Sequence, residues 1–156
     1  MKFRICKIFT VESGHMLSKH VECCRFPHGH TRRIEVIVSC EKLDGNDMVL
    51  DFKSLKLAVS GYIERLDHAM AVNSRDPMLE AIKAIHPESL IVFEEQDPTT
   101  EVIARDLFSF VAYTLASGFV GQSSSGITYT IPAGSVELER VRVWETPDSW
   151  AEFGVD

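Results

Sequence analysis

The chain has 156 residues, 45% of them apolar and 25% charged, which suits one folded domain with its own core and argues against a disordered chain. A net charge of −7 argues against a general nucleic-acid binder, which would carry a basic face, and no apolar run is long enough to cross a membrane. A local basic pocket for an anionic small molecule stays compatible with that charge. The opening MKFRICKIFTVESGH lacks the continuous apolar stretch of a signal peptide, so a cytoplasmic protein is expected.

In chain order, FRICKIFTVE at 3–12 is rich in β-branched and aromatic residues and predicts a strand. GHTRRIEVIVSCEK at 29–42 predicts a longer one, and LDGND at 43–47 a turn. Asp51 is placed to cap a helix over 52–66 with the stripe Phe52, Leu55, Val59, Ile63 and Leu66. DPMLEAIKAI at 76–85 predicts a short helix opened by Pro77, and SLIVFEE at 89–95 a short strand or extended segment. A second long helix is predicted over 99–117, opened by Pro98 and Thr99, followed by a loop from Gly118 to Gly126. ITYTIP at 127–132 and VELERVRVWE at 136–145 predict a hairpin around Ala133, Gly134 and Ser135.

These elements imply a single α+β domain over 1–156, with two helices on one face of an antiparallel four-stranded sheet. Such a sheet has exposed edges, which invite pairing with a neighbouring subunit, so an oligomer is expected. Cys6 and Cys40 lie in apolar stretches and read as small core residues.

The residues that carry chemistry cluster around histidine. His28 and His30 are two apart, so on a strand both imidazoles share one face. His15 stands just past the first strand, which would run antiparallel to the second. Three imidazoles suit zinc and leave a fourth position open. The competing local reading makes His-Gly-His a surface turn. Cys24 could be a base or nucleophile whose thiolate is favoured by the metal and by Arg25, or a fourth ligand, or a small buried residue, and the adjacent Cys23 complicates the choice. Asp67 and His68 could form a proton relay, or a cap at the helix end. Thr99, Thr100 and Glu101 could line a pocket, or simply cap the second long helix. Glu145 could accept two parallel N–H bonds from a guanidine-like edge, such as that of a pterin, or be an exposed strand-end residue.

Taken in order, His15, CRFPHGH at 24–30, MVLDF at 48–52, LDH at 66–68, PTTE at 98–101 and ET at 145–146 resemble the 6-pyruvoyl- and 6-carboxy-tetrahydropterin synthase family. That resemblance spans nearly the whole chain. It implies a tunnelling (T-) fold whose sheets associate into β-barrels, commonly as a hexamer of two trimers with active sites at subunit interfaces. It implies zinc on His15, His28 and His30, and proton transfer by Cys24, Asp67 and His68. It also implies that Glu145 anchors a pterin ring, with Thr99, Thr100 and Glu101 lining its pocket. The substrate implied is 7,8-dihydroneopterin triphosphate. Three residues between Cys24 and His28 resemble the carboxy branch, which serves queuosine (7-deazaguanine) synthesis; the alternatives are a pyruvoyl-type synthase and a pterin- or purine-binding paralogue without turnover. Three features depart from the family pattern: VESGH before the first ligand, Glu22-Cys23 before Cys24, and a long 69–97 segment. Lys19, Arg25, Arg32 and Arg33 are candidates for triphosphate contacts, although a solvated role is the ordinary one for such residues.

Overall fold

The computed structural model describes residues 1–155. Two long strands, β1 (Phe3–His15) and β2 (His28–Cys40), pair antiparallel from Phe3 opposite Cys40 to His15 opposite His28. The helix α1 (Phe52–Glu64) follows, with the Asp51 carboxylate accepting from the Lys53 N–H at 2.6 Å as its cap. Then come β3 (Met70–Asn73), the short helix α2 (Leu79–Ile85) and β4 (Leu90–Phe93). The helix α3 (Thr100–Ser117) is capped by the Thr99 hydroxyl. Four strands complete the chain: β5 (Phe119–Gln122), β6 (Thr128–Ile131), β7 (Glu137–Thr146) and β8 (Ser149–Gly154).

The main sheet has six strands in the order β4-β3-β1-β2-β7-β8, and it is mixed. This corrects the expected four-stranded antiparallel sheet with two helices. The strand β3 runs parallel to β1 through Gly14 and His15, and β4 runs parallel to β3. Parallel neighbours need a crossover connection, and α2 supplies it. The strand β6 pairs with β5, so the expected hairpin with β7 does not form. The partner of β7 beyond β2 is β8, which lay outside the expected elements. Gly118, at φ +80°, turns the chain out of α3 directly into β5, where a loop was expected.

The core lies between one face of the sheet and α1 and α3. Ile34 and Val36 of β2 and Val141 and Val143 of β7 are fully buried there, as are Leu55, Val59 and Ile63 of α1 and Ile103, Leu107 and Val111 of α3. Each such side chain contributes roughly 1.5–3 kcal/mol on leaving water. Cys40 joins this core; Cys6 does not. Cys6 pairs with Ile37 on the opposite face of the sheet, beside an ionic network of Arg33, Glu35, Arg142 and Glu152. No helix of the described residues is long and apolar enough to span a membrane.

Candidate metal centre and its cavities

The register of β1 and β2 builds the site. His15 lies opposite His28, and Ser13 opposite His30. Directly opposed residues of an antiparallel pair point to the same face, so all three imidazoles converge. Their ring centroids stand 4.5 Å (His15–His28), 5.1 Å (His15–His30) and 5.1 Å (His28–His30) apart. Close strand contact is needed here. A Cβ on Gly29 would meet the Ser13 carbonyl at 3.2 Å, and one on Gly14 the Ala69 carbonyl at 3.2 Å.

Two backbone carbonyls fix the tautomers. The Nδ1–H of His15 donates to Pro98 O at 2.8 Å, and that of His28 to Phe26 O at 2.7 Å. Each ring thereby keeps its Nε2 lone pair for a cation, the arrangement typical of metal-bound histidine. Nε2 of His15 and of His30 face one another at 3.2 Å, a separation that a shared cation makes favourable. Burial holds the His30 imidazole below its ordinary value, with the charge of Arg32 acting in the same direction and Glu145 opposing. A neutral His30 is the form a metal needs.

Glu145 stands closer than expected. Its Oε1 lies 3.2 Å from His15 Nε2 and 3.1 Å from His30 Nε2, and the four donor atoms of His15, His28, His30 and Glu145 all fall within 4.8 Å of one another. Its carboxyl is lowered to about 2, first by the His15 ring beside it, then by Thr100 and Arg32, against the opposing effect of burial.

Arg32 is the residue whose role the sequence reading understated. It is fully buried, not solvated. Its Nη1 donates to Thr100 Oγ1 at 3.0 Å, and its Nη2 lies 3.2 Å and 3.4 Å from the two nitrogens of the His15 ring and 4.0 Å from Glu145 Oε1. The period of two in β2 carried the signal, since Arg32 shares a face with His28, His30, Ile34 and Val36. The other candidate cations have partners of their own. Lys19 bonds the Glu95 carbonyl, Arg25 stacks over Phe26, and Arg33 pairs with Glu35.

Cys24 sits in a single 3-10 turn (Cys23–Arg25) and is half-buried. Burial, then Cys23 and the carboxylates of Glu145 and Glu22, push its thiol up. The expected lowering by Arg25 is absent, because that guanidinium sits over Phe26, 5.0 Å from the ring centre. Asp67 and His68 lie beyond the end of α1. His68 Nδ1 is 2.9 Å from Asp67 Oδ2, while Asp67 Oδ1 accepts from the Glu12 N–H at 2.8 Å. Those bonds hold the Asp67 carboxyl below its ordinary value, the Glu12 bond first.

Two cavities flank His30. One, of about 480 Å³, is lined by His28, His30 and His68; the other, of about 630 Å³, by His30, Arg33, Trp144 and Glu145. Gly29, His30 and Thr31 border both. Thr100 belongs to this cluster through Arg32. Thr99 caps α3 and borders a separate cavity with Leu17 and Asp97, and Glu101 is exposed on the first turn of α3.

A sequence model described as 6-pyruvoyl tetrahydropterin synthase matches residues 4–155. The chain belongs to this family. It is 30% identical to the 6-carboxy-5,6,7,8-tetrahydropterin synthase of Aquifex aeolicus over 171 aligned positions, covering 98% of each chain. It is 26% identical to the enzyme of the same name from Haemophilus influenzae, covering 97% of this chain and 98% of that one. An uncharacterised Wolinella succinogenes protein has a similar structure, with a TM-score of 0.77 at 20% identity over 100% of this chain and 99% of that one. The 6-pyruvoyl tetrahydropterin synthase of Caenorhabditis elegans gives 0.63 at 18% identity, covering 100% and 97%. The last two likenesses speak for the fold alone.

Proposed function

We propose that this chain is a zinc-dependent lyase that converts 7,8-dihydroneopterin triphosphate and water into 6-carboxy-5,6,7,8-tetrahydropterin, acetaldehyde and triphosphate. Its product would feed 7-deazaguanine (queuosine) synthesis in the cytoplasm. The observation that carries this reading is the convergence of three imidazoles, two of them held by Nδ1–H bonds that leave Nε2 facing the shared centre, with His68 in the cavity on one side of His30 and Glu145 in the cavity on the other. The three-residue spacing of Cys24 and His28, and the names of the relatives, support the carboxy branch.

In this reading His15, His28 and His30 hold zinc, which when bound supplies Lewis acidity to the oxygens of the substrate side chain. Glu145 accepts N–H bonds from the 2-amino and N3 edge of the ring, and Thr100 and Arg32 hold it ionised for that task. Thr99 and Glu101, which within one chain lie outside the two cavities beside His30, would line the ring pocket only across a subunit interface. Cys24 takes a proton from the side chain, and His68, oriented by Asp67, moves protons to or from it. Burial and the neighbouring Cys23 and carboxylates push the thiol up, and a cation held on the three histidines would act in the opposite direction. The unpaired sides of β4 and β8 are the edges through which subunits would join into a barrel-forming homo-oligomer.

The test is incubation of zinc-loaded protein with 7,8-dihydroneopterin triphosphate and identification of the products. Acetaldehyde with a carboxylated pterin supports the proposal. A pyruvoyl product without acetaldehyde assigns the chain to the other branch. Binding of the pterin without turnover refutes the lyase reading.

A further inference from the structure

We infer that Glu145 is the fourth protein donor to the metal in the substrate-free chain, and that it gives up this position when a pterin ring arrives. The inference rests on the metal site proposed above and adds a closed resting state to it.

Distances carry the first half. Metal–donor bonds of about 2.0–2.1 Å put the donors of a tetrahedral zinc site about 3.3–3.4 Å apart. His15 Nε2 and His30 Nε2 are 3.2 Å apart, and Glu145 Oε1 is 3.2 Å from the first and 3.1 Å from the second. These three atoms therefore already form one face of a tetrahedron of the right size. His28 belongs to the same group of four donors. The opening left by three histidines is thus matched by a carboxylate of the chain itself.

The strand supplies the second half. Trp144 pairs with Arg33 on one side and with Trp150 on the other, whereas the register of β7 with β8 shifts between Trp144 and Thr146. Glu145 is the residue at that irregularity. A bulge leaves one residue unpaired and allows its side chain to be re-aimed, and bulges recur beside active sites. Thr100 and Arg32 offer the carboxylate a hydroxyl and a buried cation as resting partners off the metal.

Chemistry then links the two halves. A guanidine-like ring edge takes both carboxylate oxygens in parallel bonds. A ring edge that takes both oxygens competes with the metal for Oε1. Ring binding therefore draws Glu145 away and opens the coordination position to the substrate's own oxygens, so the metal is exposed only when a ring is in place. By reciprocity, a ring that lacks side-chain oxygens must weaken metal binding.

The experiment uses substrate-free protein. Zinc affinity is measured by competition with a chromophoric chelator, and the ligand field by the visible spectrum of the Co²⁺-loaded protein. Outer-shell partners of a metal site are worth about 10–100-fold in affinity, so loss of a direct donor in Glu145→Gln should weaken zinc by at least about tenfold and change the Co²⁺ bands. Adding 6-methylpterin, which has no side-chain hydroxyls, should shift the wild-type Co²⁺ spectrum and lower zinc affinity, and should change neither in Glu145→Gln. Equal zinc affinity and an unchanged Co²⁺ spectrum in that variant would overturn the inference. Should the variant fail to fold, wild-type protein decides the matter: bound 6-methylpterin, seen by its fluorescence, that leaves the Co²⁺ spectrum unmoved overturns it equally. Failure of the pterin to bind counts against the proposed substrate class and not against the ligand, which the zinc affinities decide without it.

Discussion

The carbonyl oxygen of Pro98 accepts the Nδ1–H of His15 at 2.8 Å, so the turn before α3 sets the orientation of a metal ligand on β1. That turn is held by its neighbour Asp97. The Asp97 carboxylate is buried; Oδ1 accepts from the Ser18 hydroxyl (2.6 Å) and the Asn73 amide (2.9 Å), and Oδ2 from the Lys19 N–H (2.7 Å). One side chain thereby ties together the loop after β1, the end of β3 and the start of α3. Asp97→Ala should cost about 2–4 kcal/mol in a urea titration, since charged hydrogen bonds are lost and buried donors left unpaired. Zinc affinity should fall about tenfold as the His15 acceptor loosens. A variant with wild-type zinc affinity would remove Asp97 from the support of the site.

The same carboxylate sets a pH dependence. Burial alone would raise its carboxyl, but the bonds from Ser18, Asn73 and the Lys19 N–H, with the Lys19 charge, hold it below the ordinary 3.8. A lowered carboxyl stabilises the fold above its unfolded value and loses that contribution as pH falls through the folded one. The stability gap between wild type and Asp97→Asn should therefore be constant above about pH 5 and shrink as pH falls below 3.8. Urea titrations at stepped pH measure this gap. A constant gap down to the lowest pH at which both proteins fold would refute the assignment.

His68 adopts φ +56°, the left-handed region that non-glycine residues avoid by roughly 1–2 kcal/mol. Glycine would relieve that strain and would give back about 0.5–1 kcal/mol through unfolded-state entropy. His68→Gly should thus leave stability unchanged or raise it by up to about 1.5 kcal/mol, while removing the proposed proton shuttle lowers turnover about 10²–10⁴-fold. Paired melting and rate measurements check the opposite signs. A clearly destabilised variant would mean that the imidazole supports the fold.

Much of this site could be read from the chain before folding, and the rest could not, for identifiable reasons. His28 and His30 announce a shared face through the period of two, and Asp51 and Thr99 announce helix starts through local capping chemistry. The strands β3 and β5 have four residues each, too few to show a period; β4 falls within the segment expected as a short strand or extended, but its parallel pairing with β3, like theirs, is set by tertiary neighbours. β8 was missed because SWAEFG alternates poorly and follows a two-residue turn. The Pro98 and Phe26 carbonyls that orient the ligands are backbone atoms with no side-chain signature. Arg32 was legible in principle, but charge outweighed periodicity in assigning it to solvent, and the neighbours Thr100, His15 and Glu145 show what its burial serves.

Arg32→Met tests that burial. Methionine fills much of the volume but removes the bond to Thr100 and the cation beside Glu145. Removing one partner of a buried ionic group commonly costs about 3–5 kcal/mol, and the partial exposure of Glu145 should bring this to about 1–3 kcal/mol. Turnover should suffer through weaker ring binding, seen as a raised KM, because Thr100 and Glu145 lose the group that positions them. A normal KM with lowered stability would leave Arg32 a purely architectural residue.

The sharpest division of labour is between Cys24 and His28, which sit four residues apart. His28 has Nδ1 committed to the Phe26 carbonyl and stands among the four converging donors, a set that does not include Cys24. Cys24 lies instead in the adjoining 3-10 turn, with its thiol raised. His28→Ala should therefore lose stoichiometric zinc, and activity with it. Cys24→Ala should keep zinc at full occupancy and lose turnover by about 10²–10⁴-fold, the range expected for removing a proton-transfer group. Metal analysis of the two purified variants, beside their rates, separates the roles. Zinc lost from Cys24→Ala would make the thiol a ligand, and would then require Glu145 to be reconsidered as the fourth donor, since a tetrahedral site has room for only one of them.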